Sequence, residues 1–433
     1  MAFALAEALA RGPGHPGHGR PVLVGFSGGL DSTVLLHLLA ADGASRAAGL
    51  RALHVHHGLQ PQADDWTTHC QRVCTALEIP LRVVRVSVDR SSGLGLEGAA
   101  RDARHRAFER ALETGEVLVL AHHRDDQAET FVLRALRGSG VDGLASMRKW
   151  RGFARGALWR PLLETPRDAL QAYAAANGVQ WIEDPTNADG GLDRGFLRTQ
   201  VMPLLRTRWP HAGAMLARSA ALAAEATDLL LDEDDAALAG AGDGATLQLA
   251  ALLALPPARR ARVLRRWIHA LDLPPLPAQG IARIEADLLR ARPDAHSRFE
   301  WRDARVQRWR HLLHAGRIPA PLQPDWTCDW DGAAALELPS GDRLELSGAS
   351  GFGETLRVHW RQGGERIRMP GRAHSHALKQ VLQDTALPPW LRDRLPLLSR
   401  GATLLAAGDR ILSSGMAGWL SAHAARLRWT TLA

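Results

Sequence analysis

VLVGFSGGLDSTVLLHLL occupies residues 22–39. The apolar run that ends at Phe26 reads as a buried strand, and an amphipathic helix begins at Ser32. Between them, Ser27-Gly28-Gly29-Leu30-Asp31-Ser32 must turn the chain. Glycines in such a turn let the backbone come close to an anion, and a helix N-terminus offers unpaired N–H donors with a favourable dipole. Ser27 and Ser32 add hydroxyls. Asp31 is the discordant member, because a carboxylate beside phosphates is repulsive unless a cation lies between them. Mg²⁺ on Asp31 resolves that conflict. A ligand-free Gly-rich turn is the plainer reading, but the strand before it and the helix after it favour an anion site. The loop is not of the Walker type, since no Lys follows the glycines.

Outward from this stretch, apolar runs alternate with helical patterns over roughly the first 200 residues, the pattern of a parallel α/β sheet. RALHVHH (51–57), LRVVRVSV (81–88) and EVLVLAHH (116–123) are further strands, and DDWTTHCQRVCTALE (64–78) is a helix between two of them. Met215 to Leu238, rich in Ala and Leu, predicts a long helix leaving that domain, and AGAGDG (239–244) breaks it. A mainly helical stretch follows to about residue 315. It includes PPARRARVLRRWIHAL (256–271) and IARIEADLLRA (281–291), and Pro-rich IPAPLQP (318–324) leads onward. LELPSGDRLEL (336–346) is a hairpin turning on Pro-Ser-Gly-Asp, and HALKQVLQDTA (376–386) is a helix. The expected fold is α/β, with a parallel-sheet domain over 1–213, a helical domain over 214–325 and a small mixed α+β domain over 326–433.

At 433 residues the chain exceeds one compact core, and no apolar run is long enough to span a membrane. The start, MAFALAEALARGPGHPGHGR, is interrupted by Glu7 and carries its basic residues after the apolar stretch, unlike a signal peptide. Cys70, Cys74 and Cys328 make neither a disulfide framework nor a CxxC pair, so the cytoplasm is expected. The net charge of +7 is uneven: residues 351–433 hold 12 basic and 5 acidic side chains and so carry the whole excess. Such a segment suits a polyanion, or is a solvated basic surface. Only Lys149 and Lys379 are lysines, a bias toward arginine that proves nothing by itself.

EVLVLAHHRDDQAETFVLRALRGSGVDGL (116–144) carries the second motif. Its strand ends at His122 and His123, and a helix begins near Asp125. Asp126 and Glu129, three apart, then share one face, while Val132, Leu133 and Leu136 supply the buried side. Two carboxylates near a nucleotide suit a cationic amine, but acidic residues also complement a helix N-terminus, and composition leaves the two level. Cys70 and Cys74, four apart within a predicted helix, read as buried core residues and not as sulfur carriers or cluster ligands.

Residue for residue, the 27–32 loop resembles that of the PP-loop, or N-type, ATP pyrophosphatases. In those enzymes it holds the β- and γ-phosphates while the bond between α and β is broken. More specifically, the chain is similar to the tRNA(Ile)-lysidine synthetases. HVHHGL (54–59), LEGAARDARHRAF (96–108), AHHRDDQAETFVLRALRGSG (121–140), RPLL (160–163) and WIEDPTNAD (181–189) follow the loop in that family's order. The likeness resumes at PPARRARVLRRWI, ARPDAHSRFEW and GGERIRMPGRAHSHALKQVLQD.

The resemblance implies a PP-loop ATPase domain within a cytoplasmic three-domain ligase. It would join free L-lysine to carbon 2 of the wobble cytidine in the CAU anticodon of tRNA(Ile). ATP and Mg²⁺ are implied, with an adenylated tRNA intermediate from which the lysine ε-amine displaces AMP. Carried over, Ser27, Gly28, Gly29, Leu30, Asp31 and Ser32 bind ATP, and Asp31 also holds Mg²⁺. Asp126 and Glu129 hold lysine. Asp31, Arg101, Arg104 and His123 form the catalytic group, the two arginines lying by the adenylated intermediate. Arg194 and Arg198 of DRGFLR (193–198) meet the tRNA, as do Arg366, Arg368, Arg372, His374 and Lys379. The family usually has Asn where this chain has Gly195, so an amide is lost there. Arg259, Arg260, Arg262, Arg265 and Arg266 would grip the same tRNA or form a solvated helix face. Trp181 and Trp390 are candidate stacking partners for unpaired bases. A homodimer stays open. One rival is a PP-loop tRNA thiolase, against which the cysteine spacing argues. The other is an RNA-binding protein whose loop no longer turns over, against which the intact loop argues.

Overall fold

The computed structural model describes residues 19–89, 95–183, 193–277, 279–290, 292, 297–385 and 387–431. Residues 1–18, 184–189 of the WIEDPTNAD block and 293–296 of the ARPDAHSRFEW block lie outside the described residues. The chain divides into two compact units, Met1–Asp232 and Glu233–Ala433.

In the first unit, β1 (Val22–Gly25) lies parallel between β2 (Leu50–His56) and β4 (Val117–Val119). With β3 (Leu81–Arg85), β5 (Trp150–Phe153) and β6 (Gly156–Trp159), the order is β3-β2-β1-β4-β6-β5, and only β5 runs antiparallel to its neighbour. Val22, Leu23 and Val24 are fully buried because both faces of the sheet are covered. Alternation sends Val22, Val24, Val117 and Val119 into one hydrophobic cluster and Leu23 and Leu118 into another. Successive strands leave β1 in opposite directions, so a crevice opens at the carboxyl ends of β1 and β4, where ligands of such sheets bind.

Helix α1 (Leu30–Ala41) follows β1, α2 (Ala63–Ala76) follows β2, α3 (Gly95–Ala111) precedes β4, and α4 (Arg124–Leu136) follows it. Helix α1 is buried nearly all round, not amphipathic as expected. Helix α2 buries Cys70 and Cys74 against the sheet. Burial pushes the first thiol up to about 12, with the Cys74 sulfur adding to it, and the second up to about 11. In α4 the expected buried side is corrected. Gln127, Ala128 and Glu129 are buried, Val132 and Leu133 are only partly so, and Leu136 is exposed. Polar groups can occupy that inner face because they are satisfied: the Gln127 amide exchanges two hydrogen bonds with the Met147 backbone, at 2.9 and 3.0 Å.

The helix predicted from Met215 spans Ala212–Ala241, and the division between the units falls within it. In the second unit, the helix Pro257–Ala270 turns Val263, Leu264, Trp267 and Ile268 into a core. Four of its five arginines are engaged within that unit. Arg259 pairs with Glu233 and Asp234, Arg260 with Glu285, Arg262 with Asp234 and Arg266 with Asp235. Beyond the helices, β7 (Arg298–Trp301), β8 (Ala304–Trp309) and β9 (Leu312–Arg317) form an antiparallel meander that the helical reading of this stretch did not resolve. Nearer the C-terminus, Leu336–Glu337 pairs with Arg343–Ser347 as the expected hairpin, and Arg426–Thr430 adds a third strand. A five-stranded antiparallel sheet packs with them around Trp330, Leu344, Leu398 and Leu427. Among the described residues no helix is long and apolar enough to cross a membrane.

Candidate active site

The turn after β1 is shaped by its own hydroxyls. Ser27 N–H donates to Ser32 Oγ at 3.2 Å, the two hydroxyls lie 2.9 Å apart, and Ser32 Oγ donates to the Gly29 carbonyl at 3.0 Å. Gly28 has φ +84°, and a Cβ there would lie 2.9 Å from Cys70 Sγ and 3.0 Å from Ile182 Cδ1. The Ile182 N–H donates to the Gly28 carbonyl at 2.9 Å, holding residues 181–183 over the loop. Gly29 caps α1 and supplies no side-chain cap, which leaves that helix end suited to an anion; its own N–H donates to Ser27 Oγ at 3.4 Å. Asp31 stands in the first turn with Oδ1 buried and without a hydrogen-bond partner. An orphaned carboxylate oxygen beside an anion site fits Mg²⁺, which takes one or two carboxylates and completes its shell with phosphate and water. No cluster of acidic, His or Cys residues able to cage a metal occurs among the described residues.

His123 joins this loop to the second motif. It is buried at the start of α4, with Nε2 3.6 Å from Asp31 Oδ2 and 3.5 Å from Asp126 Oδ2. Its N–H donates to Asp126 Oδ2 at 3.0 Å. Burial opposes charging of this imidazole, but the carboxylates of Asp31, Asp126 and Asp125 outweigh burial and raise its pKa. Asp126 and Glu129 do share one face, and two arginines meet them there. Arg194 Nε donates to Glu129 Oε2 at 2.9 Å and its NH2 to Asp126 Oδ1 at 3.0 Å. Arg198 donates to both Glu129 oxygens, at 2.8 and 2.9 Å, and to Asp126 Oδ1 at 3.1 Å. Burial would raise the Asp126 carboxyl, but His123, Arg194 and His122 overcome it and hold the group at about 2. Both arginines lie on the helical turn Asp193–Phe196 and the wider π-helical turn Leu197–Val201.

Asp31, Asp126, Arg194 and Arg198 line a cavity of about 710 Å³ with Arg101, Arg104, Trp181 and Glu183 on its other walls. A second cavity of about 330 Å³ opens beside it, lined by Phe26, Leu53, Val55, Phe108 and Leu120. Ser27, Gly29, His57, Arg104, His122 and Ile182 line both. The imidazoles at this junction are neutral. Burial, Arg104, His54 and His56 bring His57 down to about 4. Burial brings His122 down to about 3 against the opposing pull of Asp126, with Arg160, Arg104 and Arg194 assisting.

In the second unit, Arg366, Arg368, Arg372, His374 and Lys379 come together on one exposed feature. Strand Arg366–Ile367 pairs with His376–Ala377, and the helix Leu378–Asp384 follows directly. Arg366 is steadied by the Ser375 hydroxyl at 3.1 Å, and no carboxylate lies within ion-pair range of the four basic side chains among the described residues. Trp390 instead stacks on His314 at 4.1 Å inside the unit.

Three family models match the chain: the PP-loop domain over residues 6–205, the TilS substrate binding domain over 247–314 and the TilS substrate C-terminal domain over 356–429. A tRNA(Ile)-lysidine synthase of Xanthomonas axonopodis pv. citri is 56% identical over 417 residues, 95% of this chain and 94% of that protein. One from Xylella fastidiosa is 52% identical over 96% of this chain and 97% of its own length. One from Pseudomonas putida is 44% identical over 89% and 91%. The chain belongs to the tRNA(Ile)-lysidine synthase family.

In this lysidine synthase, the loop, Asp31, Asp126, Arg101 and Arg104 meet at one cavity, with His123 packed behind Asp31 and Asp126 and Glu129 behind Arg194 and Arg198. The sequence reading passed over His57, His122, Arg160 and Ile182. The signal for the two histidines was present, since HVHH and AHH both stand at the carboxyl ends of strands that flank the loop. Arg160 opens the RPLL block, but its pairing with His122 was not legible, because only tertiary packing brings the two together.

Proposed function

We propose that this chain ligates L-lysine to carbon 2 of the wobble cytidine in the CAU anticodon of tRNA(Ile), converting decoding from AUG to AUA. The observation that carries the reading is the His123 imidazole, 3.6 Å from Asp31 of the phosphate loop and 3.5 Å from Asp126 of the carboxylate pair. An ATP-cleaving loop and a site for a cationic amine are thereby held side by side.

The reaction has two steps. The cytidine O2 bonds to the α-phosphorus of ATP, the α–β phosphoanhydride bond breaks, and pyrophosphate leaves. The lysine ε-nitrogen then bonds to carbon 2, the C2–O bond breaks, AMP departs with that oxygen, and the amine loses a proton. Ser27, Gly28, Gly29, Leu30 and Ser32 hold the β- and γ-phosphates through the loop backbone and the open end of α1. Asp31 would hold Mg²⁺, which when bound would supply positive charge beside the phosphates. The apolar 330 Å³ cavity takes the adenosine. Arg101 and Arg104 face the adenylated base.

Asp126 and Glu129 take the lysine cation. Arg194 and Arg198 now hold those carboxylates, so lysine binds fully when RNA phosphate draws the arginines away. Residues 326–433 present the phosphate-binding hairpin, 214–325 form the middle domain and 1–213 the adenylating domain, in a cytoplasmic enzyme. Buried thiols that resist ionisation make poor sulfur nucleophiles and disfavour the thiolase alternative.

The test is Asp31→Ala. The substitution is expected to abolish tRNA-dependent pyrophosphate release while leaving tRNA affinity within about threefold. Loss of both together would remove the loop assignment.

A further inference from the structure

The junction of the two cavities contains a side chain with no role in the account so far. His122 lies between the space assigned to the phosphates and the space assigned to the adenosine, so it stands where the α-phosphorus must sit. Arg160 Nε donates to His122 Nδ1 at 3.2 Å. A guanidinium is always a donor, so Nδ1 must accept and the ring proton resides on Nε2. Arg160 is 5% exposed, its other arm donates to the Arg148 carbonyl at 2.8 Å, and no carboxylate pairs with it among the described residues. A buried guanidinium that spends its Nε on an imidazole is an arrangement for fixing a tautomer. Among the described residues, Nε2 of His122 has no protein partner.

We propose that His122 is a catalytic residue that donates a hydrogen bond from Nε2 to a non-bridging oxygen of the α-phosphoryl group, and that Arg160 is its positioning residue. As the cytidine O2 attacks, charge grows on those oxygens, and a fixed donor in a desolvated pocket stabilises it without reorganising. The groups facing His122 are Arg160 after β6, Arg104 on α3, Asp126 on α4 and Arg194 on the turn Asp193–Phe196. Three of the four are cations, which together with burial keep the ring neutral, so the donor is a neutral imidazole whose function does not titrate near neutrality. Arg104 and the buried, unpartnered Nδ1 of His57 lie at the same junction and complete a polar lining there.

The inference rests on the proposed adenylation, and the experiment separates the two. Wild type, His122→Ala, His122→Gln and Arg160→Met are compared by tRNA-dependent pyrophosphate release at saturating ATP, with ATP and tRNA affinities measured alongside. The alanine variant is expected to lose roughly 100-fold in rate with ATP affinity within about threefold. Glutamine, whose Nε2 can replace the lost donor, recovers part of that loss. In Arg160→Met nothing fixes that tautomer, so the rate at saturating ATP is expected to fall several-fold, and adding Arg160→Met to His122→Ala should cause no further loss.

Alanine and glutamine variants as fast as wild type would overturn the catalytic role. An Arg160→Met rate equal to wild type, or a further loss when it is combined with His122→Ala, would overturn the positioning role of Arg160. A wild-type protein that releases no pyrophosphate with tRNA present would sink the parent reading and this one with it.

Discussion

Asp126 is the residue whose environment most constrains the chemistry. Its carboxyl is held at about 2 although burial opposes the charge, because His123, Arg194 and His122 stand around it. A folded-state value below the ordinary 3.8 contributes stability that is fully present above 3.8 and is lost as pH falls through about 2. The difference is worth roughly 2 kcal/mol. Urea midpoints of the wild type should therefore drop between pH 4 and pH 2 more steeply than those of Asp126→Asn, and parallel curves would contradict the assignment. At neutral pH the same variant should raise the lysine requirement more than the ATP requirement. Gly28 makes a second residue-scale test. A methyl there would need φ +84° and would press on Cys70 Sγ at 2.9 Å. Gly28→Ala should cost about 1–3 kcal/mol of stability and distort the loop, so that ATP affinity falls with it. Retention of both would show that the loop tolerates another path.

Among the elements, the segment Asp193–Val201 governs access to the carboxylates. Arg198 makes three bonds to Asp126 and Glu129, so it competes with an incoming lysine cation. Arg198→Ala should lower the lysine KM several-fold while weakening tRNA binding, and changes of both in one direction would refute the competition. The arginines of DRGFLR were legible as functional from the motif, but their pairing with Asp126 and Glu129 was not, since those residues lie more than 60 positions apart in the chain. Helix α4 shows a related limit. Apolar spacing pointed to Val132, Leu133 and Leu136 as the inner side, yet Glu129 is 2% exposed and Leu136 is 76% exposed. A buried carboxylate is invisible to hydropathy because its cost is offset by partners elsewhere in the chain. Cys70 and Cys74 were read correctly, because helical spacing and burial are local properties.

At the scale of the whole molecule, the parallel sheet followed from apolar runs bounded by helical patterns, whereas the meander β7–β9 was missed among the helices around it. The arginine-rich helix Pro257–Ala270 also looked like a nucleic-acid face, yet four of its five arginines pair with acidic residues inside their own unit. Among the described residues, exposed basic side chains without an ion pair instead cluster on the hairpin and helix around Arg366, Arg368, Arg372 and Lys379. Deleting 351–433 would strip Arg426–Thr430 from Arg343–Ser347 and open that core, so charge removal is the cleaner probe. Replacing the four basic side chains by Ala should flatten the salt dependence of tRNA binding by about 0.7–0.9 log units per lost phosphate contact. An unchanged slope would place the RNA surface elsewhere.

The central claim is tested most directly by incubating the purified chain with ATP, Mg²⁺, labelled lysine and a tRNA(Ile) transcript bearing a CAU anticodon, then counting label in the RNA. Parallel reactions omit ATP or replace the wobble cytidine by uridine. The account expects stable label that requires both ATP and the cytidine. Pyrophosphate release without any label in the RNA would contradict it and assign the adenylating loop to a different acceptor.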